Sequence, residues 1–111
     1  MICAPIMTVT YEPIVWHPHN GDRVNPLSEE SRKTYPVVVE MSLPHEYMGR
    51  DPRKVWLYDT FRNSSWMTED MFKITHMPGQ LDRMSEVVRL FRFRNAQEAM
   101  VFRLRWQNVD N

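Results

Sequence analysis

The sequence predicts a two-layer α+β domain: a small, mostly antiparallel sheet with two helices on one face, in a ferredoxin-like or split arrangement. Three observations carry that prediction. Two segments, Tyr35–Leu43 and Val87–Arg94, have the β-branched and alternating character of strands. Two others begin with helix-starting chemistry, at Asp51-Pro52 and at Asn95 with Glu98. Seven of the eight prolines fall within the first 52 residues, which rules out a long helix there. The chain divides accordingly into a Pro-rich N-terminal arm or edge ribbon (1–34) and an α+β core (35–111) of one domain.

In chain order, Ile6–Tyr11 and Ile14–His17 read as short extended pieces, because Pro5, Pro13, Pro18 and Pro26 each remove a backbone donor. Asn20-Gly21 favours positive φ and predicts a turn. Leu27–Thr34 is polar, with Ser28 a candidate N-cap for a single helical turn; a loop is the alternative. The three valines of Val37–Val39 predict burial on both faces and hence a central strand. A helix is expected over Pro52–Arg62, with Val55, Tyr58 and Phe61 inward and Trp56 beside them. Trp66–His76 suits either a helix capped at Thr68 or a strand, the second half favouring strand; Pro78-Gly79 is a turn. In Val87–Arg94, Phe91 and Phe93 share one face, Arg92 and Arg94 the other. Ala96–Arg105 reads as a helix, although Val101–Trp106 also alternates. The expected core is Val37, Val39, Val55, Tyr58, Phe61, Phe91, Phe93, Ala99, Phe102 and Trp106.

Composition bounds function. At 111 residues, 42% hydrophobic and 25% charged, the chain has the make-up of an ordinary globular domain. Its formal net charge is zero, which gives no global pull toward nucleic acid or membrane. The charge is uneven: residues 1–50 balance at −2, whereas six arginines against Glu86 and Glu98 give +4 over 83–107. One cysteine, Cys3, excludes an internal disulfide and a Cys-rich zinc site. No run of about 18 apolar residues is present and the apolar start is short, so the expectation is no membrane and a cytoplasmic location.

Candidate chemistry is sparse. His17-x-His19 with Asp22 offers imidazoles and a carboxylate to a divalent metal, but a closed structural site needs four ligands and a surface turn explains the same residues. His45-Glu46 and His76 are acid-base candidates without a nucleophile elbow or a phosphate loop beside them. No catalytic residue, metal or cofactor is therefore assigned. Arg89, Arg92, Arg94, Arg103 and Arg105 interleave with Phe91, Phe93, Phe102 and Trp106, the mixture used for single-stranded nucleic acid or a partner; a core face backed by a solvated face gives the same pattern. Trp66, Met67, Met71 and Met77, from nine methionines in all, could form an adaptable partner surface or fill a core.

The segment Phe91-Arg-Phe-Arg-Asn95-Ala-Gln-Glu98-Ala99-Met-Val-Phe102-Arg-Leu104-Arg-Trp106 resembles the tail of small uncharacterised accessory proteins of tailed bacteriophages. The resemblance covers these 16 residues and implies a phage accessory protein acting in the host cytoplasm. It carries no functional residue. The leading expectation is a non-enzymatic protein that binds and modulates another protein, with homo-oligomers in view. Nucleic-acid binding through the arginines and a virion decoration or connector role are the alternatives.

Overall fold

The computed structural model describes residues 7–77 and 83–107. It shows an α+β fold: a four-stranded antiparallel sheet in the order β1-β3-β4-β2, with three α-helices. The elements are β1 (Thr8–Pro13), α1 (Glu29–Thr34), β2 (Val37–Ser42), α2 (Pro52–Thr60), β3 (Trp66–His76), β4 (Arg83–Phe93) and α3 (Ala96–Trp106). The run β-α-β-α-β-β-α is not the βαββαβ order of a ferredoxin-like domain. Single 3-10 turns precede α2 and β3, at His45–Tyr47 and Asn63–Ser65. No helix among the described residues is long and apolar enough to cross a membrane.

The central pair is β3 and β4, eleven residues each, in register from Trp66↔Phe93 to His76↔Arg83. The whole of Trp66–His76 is therefore strand, with no helix capped at Thr68. β4 begins earlier than its sequence pattern suggests, at Arg83. The turn expected at Pro78-Gly79, the residues from Met1 to Ile6 and Cys3 among them lie outside the described residues. β1 pairs with the far half of β3, from Thr8↔His76 to Pro13↔Met71, so part of the N-terminal third belongs to the sheet.

The helix signals resolve as local hydrogen bonds. The Ser28 hydroxyl accepts from Ser31 N, the Asp51 carboxylate from Arg53 N, and the Asn95 side chain from Glu98 N. Gly21, with φ of 74°, makes the turn that folds Ile14–Val24 into a small hairpin bridged at Trp16↔Arg23.

Side chains alternate across the sheet. Toward α2 and α3 point Val39, Met41, Trp66, Phe91 and Phe93, which pack with Leu57, Ala99, Phe102 and Trp106 into the main core. The rings of Phe91 and Phe93 lie 4.6 and 5.4 Å from Phe102. A smaller apolar group, Met71, Val88 and Leu90, occupies the opposite face.

Three core expectations are corrected. β2 is an edge strand, not a central one, and Val38 is exposed at the margin of the sheet, where no strand lies beyond it among the described residues. Tyr58 is exposed and Val55 only partly buried. Arg53 and Leu57 turn inward instead, since Asp51 draws the Arg53 guanidinium beneath the helix and so sets its rotation.

Candidate functional site: a cleft along the free edge of β3

On the helix-covered face, the register places Arg89 opposite Asp70 and Met41 and on the same side as Phe91 and Phe93. It is buried, with 6% of its surface exposed. Burial of a guanidinium is tolerated only with near-complete pairing. Arg89 Nε and Nη2 donate to the two Asp70 oxygens at 2.7 and 3.0 Å, and Nη1 donates to Asp51 Oδ2 at 2.9 Å. Asp51 accepts two further bonds from Arg53 Nε and Nη2, each at 2.9 Å. Arg53 Nη1 donates to Ser42 O at 2.8 Å, and its guanidinium lies 4.8 Å from the Tyr47 ring centroid and 5.1 Å from that of Phe91. At the other end His17 Nε2 meets Asp70 Oδ2 at 3.2 Å, while His17 Nδ1 accepts from His19 N, which makes Nε2 the donor.

The result is a chain, Arg53–Asp51–Arg89–Asp70–His17, that ties α2, β3, β4, β2 and the N-terminal hairpin together. Burial acts to raise the Asp51 carboxyl, but the hydrogen bonds and charge of Arg53, with those of Arg89, outweigh it and hold it below the usual carboxylate range. Burial likewise opposes the charge on Arg89, and Asp70 and Asp51 more than restore it. Each carboxylate is already engaged by the charged groups around it. Such an arrangement braces structure.

Beside this brace lies an open backbone edge. Arg94 N–H donates to Ser65 O at 3.2 Å, continuing the β3–β4 ladder. Alternate residues of an antiparallel strand turn their main-chain groups the same way. Ser65, Met67 and Glu69 therefore bond toward β4, while Trp66, Thr68 and Asp70 turn N–H and C=O to the other edge. β1 covers that edge only as far as Met71. Beyond it two adjoining hollows, of about 220 and 420 Å³, share Thr68 and Lys54. Ile14, Val24–Leu27 and Tyr35 line one side; Lys54 and Tyr58 of α2 line the other.

Lys54 is the unusual group. It is the third residue of α2, near the positive end of the helix dipole. It is partly buried, and no carboxylate among the described residues forms an ion pair with it. Burial lowers its pKa, Arg89 lowers it further, and Asp70 and Asp51 offset this in part. The cleft thus combines a cation that forms no ion pair and main-chain donors and acceptors that meet no strand, among the described residues.

The sequence candidates are dispersed. Arg89 belongs to the brace. Arg92 lies on the opposite face, where its Nε donates to Glu69 at 3.1 Å and its Nη1 to Tyr35 O at 3.2 Å; Arg32 also binds Glu69 there. Arg94 is exposed over the Tyr35 ring, and Arg105 over Trp106. Arg103 is exposed on α3. Trp66 faces the core and contacts Tyr58 edge-on, whereas Met67 and Met71 lie on the opposite face and Met77 follows the end of β3; the four form no common surface. The rings of His17, His19 and His45 stand 5.3 and 5.1 Å apart in succession, but no group of three or more His, Cys, Asp or Glu among the described residues could hold a metal ion.

Sequence reading did not name Lys54, and it named Thr68 only as the cap of an alternative helix. The available signal was a lysine within the first turn of a helix whose cap, Asp51, was already legible. No family model matches the chain, and neither does a curated protein nor a solved structure.

Proposed function

We propose that this protein is a non-enzymatic interaction domain that takes an extended, acidic segment of another protein as an added strand along Trp66–Asp70. Strand addition at an open sheet edge draws affinity from main-chain hydrogen bonds and selectivity from the flanking pockets. The observation that supports it is the pairing, in one cleft, of the outward main-chain groups of Thr68 with Lys54, which forms no ion pair among the described residues. A carboxylate on the incoming segment supplies the charge that Lys54 lacks, and Tyr58 and the wall from Val24 to Leu27 receive its apolar neighbours. The saturated brace behind the cleft supports a binding role over a catalytic one, because it positions the cleft while offering no group to react.

Selection of a random heptapeptide display library on the folded protein tests this. Enriched peptides are expected to carry Asp or Glu among β-branched residues, to shift the Thr68 amide resonance, and to bind Lys54→Glu at least about tenfold more weakly, a loss of the size expected for a charge-assisted bond. Absence of enrichment, or peptides that bind Lys54→Glu equally well, would overturn the proposal.

A further inference from the structure

The opposite margin of the sheet carries a separate inference, independent of the cleft. Leu43 N–H donates to Val87 O at 3.2 Å, in line with the β2–β4 ladder. By the same alternation, Val37, Val39 and Met41 bond to β4, and Pro36, Val38, Glu40 and Ser42 turn outward. No hydrogen bond among the described residues reaches the main-chain groups of Val38 or Glu40 from that side, nor the Ser42 N–H. The Ser42 carbonyl is different: Arg53 Nη1 already occupies it at 2.8 Å. Pro36 has a carbonyl but no N–H to give.

This inventory is self-complementary. We infer that β2 pairs antiparallel with β2 of a second copy of this chain, about a two-fold axis through Val39, to form a continuous eight-stranded sheet. In that register Val38 exchanges both bonds with Glu40 of the second copy, and Glu40 exchanges both with its Val38. Ser42 N–H donates to the second copy's Pro36 carbonyl. The two groups left over, a carbonyl already held by Arg53 and a proline nitrogen without hydrogen, face each other and need nothing. Neighbouring registers are worse. An axis through Glu40 sets two carboxylates directly opposite and sends Val38 N–H to the occupied Ser42 carbonyl. An axis through Val38 leaves the Glu40 carbonyl opposite Pro36 without a donor.

The side chains agree with the same register. On the helix face Val39 meets its own copy and Val37 meets Met41. On the other face Glu40 pairs with Lys73 Nζ at 2.8 Å and accepts from the Tyr11 hydroxyl, which weakens without cancelling the repulsion between the two glutamates near the axis. A hollow of about 210 Å³ between Val37 and Ala96, Met100 and Arg103 of α3 lies over the same strand and is available to apolar groups of the second copy. The zero net charge puts no long-range repulsion between copies. Strand edges left this open otherwise invite uncontrolled pairing; closing β2 on itself removes one of them.

Sedimentation of the wild type, Val38→Glu and Val38→Lys tests this. Val38 is exposed on the face away from α2 and α3, so both substitutions leave the core untouched. The wild type is expected at twice the chain mass of 13.4 kDa. Val38→Glu sets a carboxylate opposite Glu40 of the second copy, twice per dimer, and should raise the dissociation constant about tenfold. Val38→Lys sets an ammonium there and should leave it unchanged or lower it. Amide exchange at Val38, Glu40 and Ser42 should slow as concentration rises. A wild type that stays at 13.4 kDa up to millimolar concentration, or a dimer indifferent to both substitutions, would overturn the inference.

Discussion

Phe91 and Arg89 stand two residues apart on β4, point to the same face of the sheet and are both buried, yet they solve burial in opposite ways. Phe91 is covered by Phe102 and loses only water. Arg89 loses its hydration shell as well and is held by two carboxylates from β3 and the α2 cap. The first solution tolerates approximate neighbours; the second demands particular ones at particular distances. That difference explains the layout of the molecule. The apolar end of the helix-covered face is a packed core, and the charged middle is a brace that fixes α2, and with it Lys54, over the edge of β3.

Breaking either side should be severe. Phe91→Ala should cost about 3–5 kcal/mol, the range for a large aromatic removed from a packed core. Arg89→Met should cost a comparable 3–5 kcal/mol, because Asp70 and Asp51 lose a partner inside the protein. Urea unfolding of each variant measures both. The contrast sharpens when the partners are removed together. Replacing Arg53, Asp51, Arg89 and Asp70 together by apolar residues of similar size should recover part of the loss, since no charged member of the brace is then stranded although the α2 cap goes with Asp51, whereas no second substitution near Phe91 restores a missing ring.

Acid separates the two regions next. The Asp51 carboxyl is held below its ordinary value of 3.8, so its contribution to stability is complete above that value and drains away as pH falls through the lower folded one. Glu40, whose burial is outweighed by Lys73 and Tyr11, acts in the same direction. Unfolding free energy should therefore drop steeply on the acid side in the wild type, and the drop should be shallower in the variant with Arg53, Asp51, Arg89 and Asp70 all made apolar. Lys54 has the opposite sign. Its charged form is disfavoured by folding, so an acidic peptide in the cleft should bind progressively less well as pH rises toward 10.5, earlier than with an ordinary lysine, and Lys54→Arg should flatten that profile. The smallest effect expected is at the far end of the apolar region, where Asn95→Ala removes the cap of α3 and should cost about 1 kcal/mol.

Much of the layout was legible in the chain. The caps at Ser28, Asp51 and Asn95 announce themselves because capping is local, a side chain reaching two or three residues forward. The inward set of Phe91, Phe93, Ala99, Phe102 and Trp106 follows from period alone. The errors have a common cause. Three valines describe a strand but not its neighbours, and whether Val38 is covered depends on which strand lies beyond β2. Period 2 places Arg89 with Phe91, but only its partners make an inward arginine acceptable, and Asp51 and Asp70 lie 38 and 19 residues away in sequence. The rotation of α2 was missed for the same reason: Arg53 is inward because Asp51 and the Ser42 carbonyl are there to receive it. The cleft was invisible because its floor is a row of main-chain groups, which every sequence possesses, and its exposure is decided by where β1 stops.

Residue-resolved amide exchange on dilute protein tests the two open margins directly. The account predicts slow exchange at Val39, Met41, Met67 and Phe91, whose main-chain groups are paired within the sheet or covered by its core. It predicts fast exchange at Val38, Glu40 and Thr68, which turn outward beside them. Equal protection at Val38, Glu40 and Thr68 under dilute conditions would mean that other parts of the chain already cover both margins, and would contradict it.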